Sequence, residues 1–317
     1  MCGIVGGITT RPISKILIEG LKRLEYRGYD SAGLTLMDQH KQTLQTYRVL
    51  GKVHSLNTAI NHSEESSCLG IAHTRWATHG APAEHNAHPH LSADTVSIVH
   101  NGIIENHAVL RQELLALGYT FSSDTDSEVI VHLLHHLMQK EPDVIKALHL
   151  TCQRLEGAYA LAIINKEDPN TLFAARQGSP LVIGCGFEEN YIASDPVALL
   201  PVTQTFLYLE EGDFAVIQKN EIKLFDQQLN PVQRSIHETA LQASMADKGD
   251  HRHYMIKEIF EQPQIVVDTL SSSIQHKEIN ITAFGQGAAQ IFPQVKRVHI
   301  IACGTSLHAA AVAQHWL

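Results

Sequence analysis

The sequence predicts an α+β protein with two antiparallel β-sheets and amphipathic helices outside them, followed by the start of an α/β unit. Between residues 157 and 225, short apolar strands alternate with short polar turns, as antiparallel sheets require. Earlier in the chain, strands are followed by segments whose apolar residues recur on one helical face. Near the end, a continuous apolar run, Val298–Cys303, leads into a Gly-Thr-Ser turn and a helical segment. This last pattern is typical of a parallel βα unit whose helix N-terminus can hold a phosphate.

These patterns divide the chain into three segments. Residues 1–226 account for the two sheets and their helices, and residues 227–250 are predicted to be a linker because periodicity is lost there. Residues 251–317 are predicted to be an incomplete second domain. A single parallel strand cannot build a sheet, so this second domain looks cut off.

The predicted elements follow from local patterns, taken in chain order. The predicted strands are 3–9, 34–37, 43–50, 69–75, 96–100, 158–165, 171–175, 181–185, 191–194, 206–210, 213–218 and 221–225. One helix begins at Pro12, a second follows Asn106 as N-cap, and a third begins with the capping box Thr125–Glu128. A helix over 253–273 is expected to bend near Pro263.

Composition excludes several classes of protein. The net charge is −9, without a basic block, so nucleic acid and anionic membranes are poor partners, and no apolar run has the length of a membrane span. No signal peptide is recognised, and the five widely spaced cysteines indicate free thiols and a cytoplasmic location. Two histidine groups lack a carboxylate or cysteine at ligand spacing, so we predict no metal site; they are His85, His88 and His90, and His132, His135 and His136.

The beginning of the chain suggests a nucleophile. Cys2 follows the initiator Met1, so removal of Met1 would leave a thiol and a free α-amine on one residue. An α-amine titrates near neutral pH and can act as the base that a thiol needs. The alternative is that position 2 only needs a small residue that permits removal of the methionine.

Three further stretches carry polar groups suited to binding a small molecule. Asn101 and Gly102 follow a strand but precede a helix, so their amide and backbone N–H are free to bind an oxyanion. Arg75 and Trp76 lie in a predicted loop, and an arginine there is suited to binding a carboxylate. The alternative is that Trp76 only fills a gap in the protein surface beside a structural Arg75. Asp126 either complements the dipole of its helix or binds an ammonium group.

Several motifs together resemble the glutamine–fructose-6-phosphate aminotransferases, also called glucosamine-6-phosphate synthases. The resemblance rests on the runs at residues 1–6, 25–33, 73–80, 86–90, 100–106, 178–181 and 302–306. The runs around Tyr26–Asp30 and Arg75–Gly80 are specific to that family, whereas the first is shared by all amidotransferases with an N-terminal cysteine. The resemblance spans the whole chain but about half of the family protein.

The resemblance implies a fold and residue roles. The fold is the four-layer αββα N-terminal-nucleophile hydrolase fold, followed by a truncated, doubly wound sugar-isomerase domain. Cys2 attacks the side-chain amide of glutamine, Asn101 and Gly102 form the oxyanion hole, and Trp76 gates ammonia. Further implied roles are glutamine binding by Arg75, Thr78, His79 and Asp126, a place beside the nucleophile for Arg27, and a partial sugar-phosphate loop at Cys303, Gly304, Thr305 and Ser306.

The family reaction uses ammonia from glutamine to convert fructose 6-phosphate into glucosamine 6-phosphate, the entry to UDP-N-acetylglucosamine, without a cofactor. The resemblance also implies a homodimer formed through the isomerase half. We expect the 317 residues to hydrolyse glutamine but not to form the amino sugar. Two alternatives stay open at this point: another N-terminal-cysteine amidotransferase or amide hydrolase, and a non-catalytic sugar-phosphate-binding protein.

Overall fold

A computed structural model describes residues 2–28, 30–38, 41–60, 67–77, 80–239, 251–271, 274–275, 278–279, 281 and 288–316. The chain divides into two compact units, residues 1–247 and 248–317. None of the helices among the described residues is long and apolar enough to cross a membrane.

The first unit contains fifteen described strands, and each pairs antiparallel with its neighbours. They are β1 (Gly3–Ile8), β2 (Ser31–Asp38), β3 (Thr43–Leu50), β4 (Leu69–Arg75), β5 (His90–Ser92), β6 (Val96–Ile104), β7 (Gly157–Asn165), β8 (Asp168–Gln177), β9 (Val182–Cys185), β10 (Asn190–Ala193), β11 (Thr205–Tyr208), β12 (Phe214–Ile217), β13 (Ile222–Phe225), β14 (Pro231–Val232) and β15 (Ile236–Glu238). One sheet has the order β15-β11-β9-β10-β1-β4-β2-β3, and the other β14-β13-β12-β8-β7-β6-β5. The first strand of the chain therefore lies in the middle of the first sheet.

Five helices cover the outer faces of the two sheets. They are α1 (Ser14–Leu24), α2 (Val53–Ala59), α3 (His107–Ala116), α4 (Glu128–Met138) and α5 (Val144–Cys152). Buried residues of α1 and α2 share one apolar cluster with the first sheet, and those of α3, α4 and α5 share another with the second sheet. The predicted amphipathic faces thus form the two outer cores.

A third apolar cluster fills the space between the sheets. The second sheet contributes small residues to it, among them Ala160, Ala162, Ala174 and Ala215, while the first contributes larger ones such as Ile4 and Ile8. Pairing small with large side chains lets two sheets pack closely without voids. The layer order is therefore α, β, β, α, and the predicted fold of the first unit is confirmed.

The segment predicted as a linker begins inside the first unit. Residues 231–232 pair with β13 and residues 236–238 pair with β11, so this stretch contributes a strand to each sheet. Arg234 lies between the two strands and forms a bidentate ion pair with the buried Asp213, with distances of 2.9 and 2.8 Å. Backbone pairing and this ion pair hold a stretch that has no hydrophobic periodicity, so a linker from residue 227 is wrong.

The second unit contains α6 (Tyr254–Ser271), α7 (Ala288–Ile291), α8 (Gly304–Trp316) and a two-stranded ribbon of β16 (Ile274–Gln275) and β17 (Glu278–Ile279). Pro263 lies inside α6, and α8 begins where the Gly-Thr-Ser turn predicted a helix. The predicted strand Val298–Cys303 is wrong, because these residues pair with no strand among the described residues and all but the half-buried Ala302 are exposed. A buried type of strand does not form without a neighbour to satisfy its backbone groups.

Candidate functional site

The site lies at one end of the central strands of the first sheet. In the pairing of β1 with β4, Gly3 is opposite Thr74, which places Cys2 beside the end of β4. The backbone N–H of Trp76 donates to the Cys2 sulfur at 3.3 Å, and the thiol lies 3.6 Å from the carbonyl oxygen of the same residue. The backbone of Trp76, in the loop after β4, thus contacts the sulfur through both its N–H and its carbonyl group.

The environment of Cys2 favours the protonated thiol. Burial raises the pKa of the Cys2 thiol above its ordinary value, and the hydrogen bond from Trp76 and the charge of Arg75 offset this only in part. At neutral pH the sulfur therefore carries its proton. A nucleophilic role would require a base close to the sulfur.

Asn101 is oriented by two hydrogen bonds of opposite sense. Its side-chain nitrogen donates to the carbonyl oxygen of Cys2 at 3.2 Å, and its side-chain oxygen lies 2.9 Å from Nε2 of His73. The residue belongs to β6, which continues to Ile104 and pairs with β7 through the whole stretch. The predicted end of this strand at His100 is wrong, because a strand partner exists in β7.

Gly102 adopts a backbone conformation that other residues avoid. Its φ is +143°, and an added Cβ would overlap the carbonyl oxygen of Ala158 on the paired strand. Glycine at this position therefore lets β6 lie close to β7. It also lets the backbone of β6 adopt an unusual conformation directly after Asn101.

Gly102→Ala should destabilise the first unit by roughly 1–3 kcal/mol, the range for a residue held in a disfavoured backbone region. Urea unfolding followed by circular dichroism measures the change. Gly118→Ala is the matched control, since Gly118 also has a positive φ of +89° but has open space around it. A smaller loss for Gly102→Ala than for Gly118→Ala would contradict the steric account.

Arg75 and Asp126 line the same small cavity as Cys2, Trp76 and Gly102. The cavity measures about 20 Å³, which is room for about one water molecule. Arg75 is buried, and its guanidinium donates to the carbonyl oxygens of Gly80 at 3.2 Å and Ala81 at 3.4 Å. The cavity is thus lined by a positively charged side chain, a carboxylate and a thiol.

Asp126 is held before α4, not in its first turn. One carboxylate oxygen accepts a hydrogen bond from the backbone N–H of Ile104 at 2.8 Å, and the residue is 4% exposed. The helix begins at Glu128 with Ser127 as the N-cap. Asp126 therefore lies outside the helix, and the interpretation that it complements the helix dipole from the first turn is wrong.

The predicted capping box is also wrong. The Glu128 carboxylate turns back to accept hydrogen bonds from the backbone N–H and hydroxyl groups of Ser122 and Ser123, at 2.7 to 2.9 Å. Burial alone would raise the pKa of Glu128, but the nearby His132 ring, 3.6 Å away, and the hydrogen bonds from the two serines hold it well below its ordinary value. The hydroxyl of Thr125 lies 3.0 Å from Nε2 of His90 and does not cap the helix. This network fixes the turn that carries Asp126.

The sequence analysis assigned no role in this site to two kinds of residue. The first is Asp30, whose backbone N–H donates to the Arg75 carbonyl at 3.2 Å and whose carboxylate accepts from the N–H of Ala77. These bonds lie on either side of Trp76 and hold its backbone toward Cys2. The polar run around Tyr26–Asp30 was the available signal, but no pattern in it distinguishes Asp30 from its neighbours.

The second kind is a group of buried histidines behind Asn101: His73, His88, His90 and His100. Burial lowers the pKa of every one of them, to about 3 for His73 and His90. These rings are therefore neutral at pH 7. Among the described residues, no group of three or more His, Cys, Asp or Glu side chains is arranged to hold a metal ion.

The other predicted site residues are placed as follows. Trp76 is half exposed beside the sulfur. Arg27 lies in a 3₁₀ turn, Glu25–Arg27, but its side chain and all of Thr78 and His79 lie outside the described residues. Cys303 is exposed in the second unit, immediately before Gly304, Thr305 and Ser306 begin α8.

The chain is similar to known proteins in sequence. Residues 73–201 match the family described as a glutamine amidotransferase domain. The glutamine–fructose-6-phosphate aminotransferases (isomerizing) of Pseudomonas putida and Pseudomonas aeruginosa are 55% and 54% identical over all 317 residues, which correspond to 52% of each relative. The chain thus spans about half the length of the curated relatives that it matches.

Solved structures support the same fold. The phosphoribosylpyrophosphate amidotransferase of B. subtilis aligns with 73% of this chain and 50% of its own, with a TM-score of 0.61 and 23% identity. A structure described as the allosteric regulatory enzyme of purine biosynthesis aligns with 72% of this chain and 50% of its own, with a TM-score of 0.62 and 25% identity. Residues 73–201 therefore match a glutamine amidotransferase domain, the first unit has the N-terminal-nucleophile fold, and the whole chain is similar to the glutamine–fructose-6-phosphate aminotransferases.

Proposed function

We propose that the first unit hydrolyses glutamine to glutamate and ammonia. The observation that carries this proposal is that a half-buried thiol, an arginine and a carboxylate line one cavity, with the oriented amide of Asn101 hydrogen-bonded to the backbone of the thiol residue. Glutamine has a matching set of groups, namely a side-chain amide, a carboxylate and an ammonium group. The sequence match to a glutamine amidotransferase domain supports the same activity.

The proposed reaction starts from Cys2 after removal of Met1. The α-amine takes the thiol proton, the sulfur bonds to the amide carbon, and the carbonyl oxygen gains negative charge. Asn101 has a second side-chain N–H besides the one that faces the Cys2 carbonyl, and with the backbone N–H of Gly102 it stabilises that oxyanion. Return of the proton to nitrogen breaks the carbon–nitrogen bond and releases ammonia. Water then cleaves the thioester, giving glutamate and the free thiol.

Arg75 and Asp126 bind the amino-acid end of glutamine in this proposal. The guanidinium pairs with the carboxylate and the Asp126 carboxylate with the ammonium group. In this proposal Thr78 and His79, which follow Arg75 in the sequence, contact the substrate, Arg27 acts beside the nucleophile, and Trp76 gates the ammonia. These roles follow from the family resemblance, and mutation of each residue tests them.

Arg75→Ala and Asp126→Ala should each lower kcat/KM for glutamine by about 30-fold or more, the lower end for removing one partner of a buried ion pair. Turnover of a primary amide without charged groups should fall far less, because it lacks the paired charges. Arg154→Ala and Asp124→Ala serve as matched controls, since both side chains are exposed. Equal losses for glutamine and the uncharged amide would assign a structural role to the tested residue.

For the protein that contains both halves, we propose that the ammonia converts fructose 6-phosphate into glucosamine 6-phosphate. The relatives that match the whole chain are named for an isomerizing reaction of glutamine with fructose 6-phosphate. In this proposal Cys303, Gly304, Thr305 and Ser306 contribute to the sugar-phosphate loop, and the isomerase half forms a homodimer. A cytoplasmic location agrees with the five free cysteines.

The test of the proposed function is glutamate release from glutamine by the 317-residue chain, with and without fructose 6-phosphate. Release that Cys2→Ala abolishes supports a glutaminase. Binding of fructose 6-phosphate without any glutamate release would favour a non-catalytic sugar-phosphate-binding protein.

A further inference from the structure

His73 donates a hydrogen bond to the residue proposed as the oxyanion donor. Its Nε2 lies 2.9 Å from Oδ1 of Asn101, and an amide oxygen only accepts hydrogen bonds. The amide orientation is set independently, because the Asn101 nitrogen lies 3.2 Å from the carbonyl oxygen of Cys2, which also only accepts. Nε2 of His73 must therefore carry a proton.

The surroundings of His73 keep its ring in one state. The residue is 1% exposed, and burial lowers the pKa of the ring to about 3, so the neutral ring has a single N–H at pH 7. Its Nδ1 is buried without a hydrogen-bond partner among the described residues, so Asn101 receives the one available proton. The ring of His88 stacks on it, with centroids 4.2 Å apart and an interplanar angle of 24°.

The stacking partner is itself fixed. The backbone N–H of His100 donates to Nδ1 of His88 at 3.3 Å, and the backbone of His88 packs on Gly33, where a Cβ would overlap the His88 carbonyl oxygen. The position of His73 is thus determined by packing on one face and by Asn101 at its edge. A ring held in this way cannot turn to offer Nδ1 in place of Nε2.

A flipped Asn101 amide would remove the donors from the site. Its oxygen would then face the Cys2 carbonyl oxygen, and two acceptors would repel each other. Its nitrogen would face Nε2 of His73, which already carries a proton. Both neighbours therefore select the same orientation, in which the Asn101 nitrogen faces the Cys2 carbonyl oxygen and its oxygen faces His73.

We propose that His73 is a positioning residue, which orients the Asn101 amide so that the N–H not bonded to the Cys2 carbonyl is available to the reacting carbonyl. The proposal rests on the proposed glutaminase function and adds a residue that acts only through Asn101. His73 is also among the residues that line the cavity, but in this account its ring affects the reaction through its hydrogen bond to Asn101. Its removal should affect the transition state more than substrate binding.

Three substitutions separate this role from simple packing. His73→Gln places an amide nitrogen near the position of Nε2 and should retain most of the wild-type kcat. His73→Asn carries the same amide one methylene shorter, and His73→Leu carries no donor. Both should lower kcat by about 10- to 100-fold, below the loss of about 10²- to 10³-fold for a missing oxyanion donor, with little change in KM.

The same substitutions in an Asn101→Ala background test whether His73 acts through Asn101. We expect no further loss of kcat there, because the group that His73 orients is absent. Equal losses in the two backgrounds, or equal kcat values for His73→Gln and His73→Asn, would overturn the proposal. Circular dichroism and thermal unfolding show whether each variant is folded.

A measurement without substrate distinguishes failure of this proposal from failure of the proposed function. In protein with ¹⁵N-labelled histidine, the His73 signals, assigned by comparison with His73→Gln, should show a protonated Nε2 and an unprotonated Nδ1 at pH 7. A protonated Nδ1 would refute the positioning role whether or not the wild type releases glutamate. Absence of glutamate release with the expected tautomer would refute only the glutaminase function.

Discussion

Cys2→Ala is expected to abolish glutamate release, because it removes the atom that bonds to the amide carbon. Cys2→Ser tests the chemistry more closely, since a hydroxyl is a far weaker acid than a thiol and is harder to activate by an amine. Glutamate formation, followed by a coupled dehydrogenase assay, measures both variants. The structure supports the choice of Cys2 because its sulfur is held at the edge of the cavity by Trp76.

The other cysteines supply the controls for this prediction. Cys185→Ala is matched in exposure, and Cys152→Ala removes a thiol that is buried, with a pKa raised to about 12. Both variants should keep wild-type turnover of glutamine. Substantial residual activity in Cys2→Ala would show that another group is the nucleophile.

The same proposal requires a free α-amine on Cys2. Since burial raises the pKa of the thiol, the sulfur needs a proton acceptor at neutral pH, and an amide nitrogen has no basic lone pair. Intact-mass analysis of the active protein should therefore show loss of Met1. Full activity in protein that retains Met1 would exclude the amine as the base.

Asn101→Ala is expected to lower kcat by roughly 10²- to 10³-fold, the usual loss for one oxyanion donor. KM should change little, because the donor acts mainly when negative charge develops on the carbonyl oxygen. Steady-state kinetics with glutamine give both constants. The substitution also removes the hydrogen bond to the Cys2 carbonyl, so a thermal unfolding curve should accompany the kinetics.

Asn106→Ala is the matched control for Asn101→Ala. Its side chain bridges the carbonyl oxygen of Arg154 and the backbone N–H of Glu156 and lines no part of the cavity. This variant should lower stability and leave kcat near the wild-type value. A change mainly in KM for Asn101→Ala would assign Asn101 to substrate binding instead of oxyanion stabilisation.

Much of the fold is predictable because its signals are local. The strands 43–50 and 69–75 have the predicted bounds, and apolar patterns predicted two antiparallel sheets with helices outside them, whereas the αββα layer order was implied by the family resemblance. Features set by distant partners were not predictable in the same way. The extension of β6 beyond His100 depends on β7, which lies more than fifty residues further along the chain, and β14 and β15 depend on pairing that their own residues do not signal.

The residues of the site likewise divide into those that the sequence predicts and those that depend on distant partners. Cys2, Asn101, Arg75 and Asp126 were selected from the sequence, and the structure brings all but Asn101 into the lining of one cavity, with Asn101 bonded to Cys2. Their catalytic and binding roles stay predictions. His73 could not be selected, because a buried histidine in a strand is distinguished only by its neighbours in space. The capping box failed for a similar reason, since the Glu128 carboxylate finds better donors in Ser122 and Ser123.

The strands β14 and β15 each form an outermost strand of a sheet, one in each layer of the sandwich. A fragment that stopped at residue 226 would uncover the hydrogen-bonding edges of β13 and β11 together. It would also remove Arg234, the partner of the buried Asp213 carboxylate. Open strand edges pair readily with other chains, so such a fragment would be prone to self-association although it retains Cys2, Asn101, Arg75 and Asp126. The thirteen residues 227–239 therefore cover the edges of both sheets, and a soluble minimal glutaminase should extend at least to Thr239.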